Sequence, residues 1–393
     1  MESLRKTFIA LLKNTESRFE RKLSINWDNK MIAITGARGV GKTTFLLQHI
    51  RNTYKDLSQV LYVSLDNLYF YENSLMELVD EFHDYGGKFL YLDEVHKYTH
   101  WSSSLKNIYD NYPEIKVVFT SSSILDIYKG DSDLSRRAVK HAMHGLSFRE
   151  YLLFRHQIKL NVFSLEDILF RQEQLAMNLP KDFLPLSYFK SYLTDGYFPF
   201  GQEPDFLQKL MNAINNVIES DLGKIENLSQ NKIEQVKRVL GEIAESAPFK
   251  PNISSLSNKL QINRDIILTI LFQLERGRIL NLLRAPNSGM SFLQKPDKIY
   301  LENTNLMYAL KDQPDLGNIR ETFFYNQLFN AGFAVNTSRQ ADFFVSNKYS
   351  FEIGGRDKKK TQIQGLENAF IVKDDVAYGT GNVIPLWMIG MIY

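Results

Sequence analysis

The chain has 393 residues, 44% hydrophobic and 23% charged, which excludes disorder over most of its length and exceeds what one compact core organises. Lys and Arg number 47 against 45 Asp and Glu, so the net charge of +2 selects no class of partner, and the absence of cysteine excludes disulfides, thiolate catalysis and cysteine-bound zinc. No apolar run approaches the ~18–20 residues that cross a bilayer, and the stretch after Met1 is too short for a secretory signal, so a soluble, cytoplasmic protein with no membrane partner is expected.

The first thirteen residues pattern as an amphipathic helix. Met31-Ile-Ala-Ile-Thr35 is a short apolar strand run that ends in a glycine cluster. Residues 43–55 follow with helical character, with Phe45, Leu46, Leu47 and Ile50 on one side. Val60–Leu65, Phe89–Leu92 and Ile115–Thr120 read as further strands. Leu75, Leu78, Val79 and Phe82 mark a helix face between them, and Leu105, Ile108 and Tyr109 another. This alternation predicts a mostly parallel sheet covered on both faces. After about residue 146 the pattern turns helical and strand-poor, broken by turn formers at Gly196-Tyr-Phe-Pro199. Residues 231–310 show three helical patterns and two short strands, and 318–393 return to mixed helix and strand. Four segments result: 1–146, 147–229, 230–305 and 306–393.

Gly36-Ala-Arg-Gly-Val-Gly-Lys42-Thr43 fills every fixed position of G-x-x-x-x-G-K-[ST], between a predicted strand and a predicted helix. Glycines 36, 39 and 41 let the loop wrap closely, so backbone N–H groups of Gly36, Ala37, Arg38, Gly39, Val40, Gly41, Lys42, Thr43 and Thr44 can face phosphate oxygens. The helix N-terminus adds favourable positive charge. Lys42 can reach the outer phosphates, and the Thr43 hydroxyl can ligate Mg²⁺. Asp93 and Glu94 lie at the end of an apolar strand, the edge where open α/β sheets bind ligands. Asp93 is expected to hold Mg²⁺, and Glu94 to orient or deprotonate the attacking water.

Thr120-Ser-Ser-Ser123 ends the next strand at the same edge, where a hydroxyl can bond the terminal phosphate or the water. Arg136 and Arg137 follow, and one can stabilise transition-state charge in cis or from a neighbouring subunit; a surface pair is the bland alternative. His96 and His100 stand four apart, but the order Glu-x-His-x₃-His lacks a third ligand and speaks against zinc.

With these residues the chain resembles a group of prokaryotic AAA-type P-loop ATPases. The group has an N-terminal ATPase domain, a winged helix and a C-terminal domain with a restriction-endonuclease-like core. The resemblance runs over nearly the whole chain. It rests on Gly36–Thr43, Leu92-Asp-Glu-Val-His-Lys97 with Trp101, Phe119-Thr-Ser-Ser-Ser123, Leu134-Ser-Arg-Arg137, Leu146-Ser-Phe-Arg-Glu150 and Gly196-Tyr-Phe-Pro199. The fold class implied is α/β: a P-loop NTPase parallel sheet with a helical lid, then a winged-helix domain and a small α/β restriction-endonuclease-like domain. The resemblance implies Ser122 or its neighbours as the sensor, and Arg136 or Arg137 as the arginine facing phosphate. ATP is taken as the nucleotide by default.

Residues 231–300 hold eleven Lys and Arg against six acids, a net +5. Ile233, Val236, Val239, Leu240 and Ile243 form one helix face, and Leu256 and Leu260 a short second helix. Asn263 can cap a third helix with Ile266, Ile267, Ile270, Leu271 and Leu274 buried. Two helices, a third and a β-wing make a winged helix-turn-helix pattern. Arg264, Thr269, Gln273 and Arg276 can face a groove of double-stranded DNA, and Arg284 a phosphate; packing against protein is the alternative use. Beyond 318, Glu321, Asp342 and Glu352 resemble the carboxylates of restriction-endonuclease-like domains, so Asp342 and Glu352 are a candidate second metal site. The expected lysine two residues past the glutamate is replaced by Gly354, with Arg356, Lys358 and Lys360 nearby. That departure favours an inactive or structural domain. The expected function is Mg²⁺-dependent ATP binding and hydrolysis coupled to DNA. The alternatives are a nucleotide-controlled switch acting through self-association or a protein partner, and a scaffold with little turnover.

Overall fold

The computed structural model describes residues 1–16, 19–121, 134–223, 228–246, 251–284 and 295–393. The chain divides into two units, Met1–His144 and Gly145–Tyr393.

The first unit is built on five parallel strands: β1 (Met31–Thr35), β2 (Val60–Ser64), β3 (Phe89–Asp93), β4 (Lys116–Ser121) and β5 (Val139–Ala142), in the order β2-β3-β4-β1-β5. Helices cover the sheet: α1 (Glu2–Asn14), α2 (Lys42–Thr53), α3 (Leu75–Asp84) and α4 (Trp101–Asn111). β1 is buried at all five positions, as a strand covered on both faces must be, and its run is accordingly unbroken by polar residues until Thr35. α1 buries Leu4 and Phe8, four apart on one face, and Phe8 packs on Tyr62 of β2 at 6.1 Å between ring centres. α3 starts where Ser74 and Glu77 form a reciprocal capping box.

β5 has no counterpart among the sequence expectations. Val-Lys-His-Ala carries no apolar run, because this edge strand is largely exposed and takes its place from backbone pairing with β1, Ile32 against Val139 through Thr35 against Ala142. The strand order matters for the site. β3, which carries the acid pair, does not touch β1, which leads into the glycine loop; β4 lies between them.

In the second unit, α5 (Phe148–His156), α6 (Pro185–Asp195) and α7 (Phe206–Asn216) precede α8 (Gln230–Glu245), α9 (Ile253–Leu260) and α10 (Arg264–Arg276). An antiparallel pair follows, β6 (Leu280–Leu283) and β7 (Lys298–Leu301). Then come α11 (Thr304–Leu310), α12 (Leu316–Asn330) and a five-stranded sheet. Its strands are β8 (Val335–Thr337), β9 (Phe343–Val345), β10 (Tyr349–Gly354), β11 (Ala369–Lys373) and β12 (Val383–Pro385), in sequential order and closed by α13 (Leu386–Ile389). β8, β9 and β10 pair antiparallel; β10, β11 and β12 pair parallel.

The helices after residue 147 and the C-terminal elements share one core. Phe148 packs on Tyr192 at 5.6 Å and on Trp387 at 6.4 Å, and Phe189 on Phe323 at 4.7 Å. Ser147 Oγ donates to the Tyr393 carbonyl at 2.6 Å. Between β10 and β11 the chain makes a single 3₁₀ turn, Lys360–Ile363.

Candidate phosphate and metal site

The glycine loop leaves β1 at Thr35. A Cβ on Gly36 would lie 2.1 Å from the Met143 carbonyl oxygen, so only glycine fits there. Gly39 and Gly41 sit at φ 83° and 96°, in the left-handed region. Gly41 is the N-cap of α2, and fully buried Val40 anchors the loop from below. Ala37 and Arg38 are half-buried along the loop, and Thr44 is exposed on the first helical turn. Lys42 is 5% exposed, and its Nζ donates to the carbonyls of Gly36 at 2.9 Å and Ala37 at 3.0 Å, which hold the ammonium inside the curve of the loop.

Thr43 Oγ1 donates to Asp93 Oδ2 at 2.6 Å. Asp93, buried at the end of β3, accepts two more hydroxyls: Tyr62 to Oδ2 at 2.8 Å, and Thr120 to Oδ1. All three donors are neutral. Burial, and then the Asp93 charge, push the Tyr62 phenol far above its ordinary pKa, so it stays a donor. Glu94 adopts φ 51°, ψ 42°, a left-handed backbone that costs a non-glycine residue about 1–2 kcal/mol. Its N–H donates to Thr120 Oγ1 at 3.0 Å, and its carboxylate Oε2 lies 3.3 Å from His96 Nε2. Thr120 therefore holds both acidic residues. Sequence reasoning missed Tyr62 and the role of His96. A tyrosine inside a buried strand run, and a histidine two residues past a glutamate, carry no signal until the strands are paired.

Oxygen donors 2.6 Å apart on a loop threonine and a buried aspartate fit a small hard cation that keeps several waters, which is how Mg²⁺ is held. No group of three or more His, Asp or Glu able to hold a metal occurs among the described residues. Ser122 lies outside the described residues.

The arginine pair does not reach this site within its own unit. It precedes β5, whose first paired residue Val139 aligns with Ile32, so it sits at the opposite sheet edge, ~13 Å of strand away from Gly36. Arg137 is spent on Asp110 of α4, with Nε and Nη2 each 2.9 Å from a carboxylate oxygen, and Arg136 is exposed.

In the second unit, Asp342 and Glu352 come close on neighbouring strands. Asp342 Oδ2 accepts the Ile353 N–H at 2.9 Å. Both carboxylates already face lysines: Lys358 Nζ is 2.5 Å from Glu352, and Lys298 Nζ lies 3.0 Å from Glu321 and 3.8 Å from Asp342. The Lys358 side chain runs over Gly354, where a Cβ would meet it at 2.6 Å. Burial nevertheless raises the pKa of Glu352.

Among the candidate DNA contacts, Arg264 is exposed at the start of α10, capped by Asn263 as expected. Arg276 lies 5.1 Å over the Phe272 ring. Arg284 forms two bonds to Glu275, of 3.0 and 2.9 Å, which tie β6 to α10. Gln273 is buried and Ile266 is 40% exposed, the reverse of their expected placement.

Strand order, loop and acid pair together make the first unit a parallel α/β domain with a phosphate-loop motif at its strand ends. More particularly, residues 28–152 match the AAA_14 family model, an AAA domain. Two uncharacterized proteins of Methanocaldococcus jannaschii are similar over most of their length. MJ1637 is 27% identical, spanning 87% of this chain and 79% of the relative, and MJ1544 is 23% identical, spanning 85% and 74%. Among solved structures, the Walker-type ATPase PABY2304 of Pyrococcus abyssi is 14% identical with a TM-score of 0.42, covering 72% of this chain and 91% of that one. No helix among the described residues is long and apolar enough to cross a membrane.

Proposed function

We propose that this chain binds ATP with Mg²⁺ and transfers its terminal phosphoryl group to water. The observation that carries the reading is the 2.6 Å bond between Thr43 and Asp93, made beside Lys42 and Glu94. Loop amides and Lys42 bind the outer phosphates. Thr43 and Asp93 would hold Mg²⁺, which supplies charge neutralisation when bound. The Glu94 carboxylate takes the proton of the attacking water. Ser122 or a neighbour contacts the terminal phosphate. Arg136 serves only a neighbouring copy's site, because of its place at the far sheet edge.

The second unit responds to nucleotide state. Residues 230–305 have the helix and hairpin order of a winged helix, and exposed Arg264 with Arg276 supports contact with double-stranded DNA. One observation favours the second reading, a switch acting through self-association or a protein partner: four other bases there are already paired with acids. Lys237 meets Glu219, Lys259 meets Glu242, Lys298 meets Glu321, and Arg284 meets Glu275. Residues 306–393 are then a structural restriction-endonuclease-like domain, whose carboxylates are neutralised by lysine.

The test is steady-state ATP hydrolysis with Mg²⁺, with and without duplex DNA, on wild type and Glu94→Gln. Activity lost in the variant and stimulated by DNA supports the first reading. Activity indifferent to DNA, with nucleotide-dependent sedimentation, supports the second. Nucleotide bound but never hydrolysed overturns the enzyme reading.

A further inference from the structure

We propose that His96 is a positioning residue that ties the Glu94 carboxylate to the end of β4 through Ser121. The inference rests on the hydrolytic reading above. Two successive residues of β4 serve two successive residues of the acid pair. Thr120 bonds Asp93 and takes the Glu94 N–H. Ser121, the next residue, lies with Oγ 3.4 Å from His96 Nδ1, and the other ring nitrogen is 3.3 Å from Glu94 Oε2.

The polarity of this chain follows from the chemistry of its members. A carboxylate accepts, so a hydrogen on Nε2 faces it; in that tautomer of a neutral ring Nδ1 accepts from the Ser121 hydroxyl. The His96 side chain is 3% exposed and Ser121 is fully buried, so water does not compete for these contacts. The Glu94 side chain is 22% exposed.

A glutamate has three rotatable bonds, and immobilising it costs up to about 2 kcal/mol of rotamer freedom. The imidazole supplies that restraint before any nucleotide arrives. It also links the base to β4, so a shift of that strand moves the proton acceptor too.

The experiment compares full-length wild type with Glu94→Gln, His96→Ala, His96→Gln and Ser121→Ala. It reads kcat and KM for ATP, direct nucleotide affinity, and the thermal midpoint. His96→Ala is expected to lower kcat by roughly ten- to a hundred-fold. Its KM and nucleotide affinity stay within about twofold of wild type. His96→Gln, whose amide N–H can donate to the same carboxylate, recovers much of the loss at an unchanged thermal midpoint. Ser121→Ala loses less than His96→Ala.

The proposal fails if His96→Ala turns over at or above the wild-type rate while Glu94→Gln is dead. That result leaves the ATPase reading standing. It fails equally if the loss in His96→Ala falls on KM and affinity and glutamine does not rescue it, since that marks a merely structural histidine. Wild type and Glu94→Gln hydrolysing ATP equally would overturn the hydrolytic reading and this inference together.

Discussion

Both units gather buried or half-buried carboxylates, but they satisfy them differently. Asp93 is held by three hydroxyls, from Thr43, Tyr62 and Thr120. Glu321, Asp342 and Glu352 are held by the ammonium groups of Lys298 and Lys358. Hydroxyls orient a carboxylate and leave its charge in place for an incoming cation; lysines cancel that charge. The residue types that a sequence shows are the same in the two places. What separates a cation-ready site from a closed ion-pair cluster is the identity of the neighbours, which only the folded chain brings together.

The comparison breaks most sharply at the first site. Glu94→Gln should lower kcat by about 10²–10⁴ and spare nucleotide binding, as single-turnover and binding measurements would separate. Lys42→Ala should remove binding itself, read by titration with a fluorescent nucleotide.

The next largest effect belongs to the second site. Lys358→Met leaves Glu352, 2% exposed, without its cation and should destabilise the second unit by about 3–5 kcal/mol in denaturant. The double variant Lys358→Met with Glu352→Leu should recover most of that loss. If Lys358→Met is instead neutral, the lysine is not the compensating charge.

Acid should separate the units in opposite directions. Burial lowers the pKa of His49, stacked on Trp27 at 3.5 Å, to about 4, against an ordinary 6.5. A depressed pKa gives stability that is present above 6.5 and lost as pH falls toward about 4, so the first unit weakens over that window. Glu352 is shifted upward from 4.5 by burial. Its contribution is complete below 4.5 and lost as pH rises through the raised value, so acidification favours the second unit at that residue. Denaturant unfolding at several pH values should show the first trend in wild type and lose it in His49→Phe. Smallest of all, Tyr62→Phe removes one of three donors to Asp93 and should cost about 1 kcal/mol in unfolding, with a modest weakening of Mg²⁺ affinity measured by calorimetry.

The glycine loop and the acid pair are legible in sequence because each is a contiguous run whose chemistry needs adjacent residues. The helix cap at Asn263 is local in the same sense. β5 is not legible, since an exposed edge strand carries no hydrophobic pattern. The placement of Arg136 and Arg137 also escapes, because it depends on β5 running parallel to β1. Gln273 and Ile266 exchange their expected faces on α10, as a helix buried along a broad stripe has no sharp polar boundary to read. Lys358 stands four residues past Gly354 in the chain and over it in space, a proximity set by the turn between them.

The first glycine of the loop has a mechanical consequence. Gly36 leaves no space for a Cβ against the Met143 carbonyl, and the Met143 N–H is bonded to the Thr35 carbonyl at 2.7 Å, so loop and outgoing chain meet on both sides of one residue. His144, the next residue, is the last of the first unit, and its own carbonyl is held by Arg21. The cradle and the exit of the chain thus work as a clamp with a shared jaw. Any load that displaces one must drag the other.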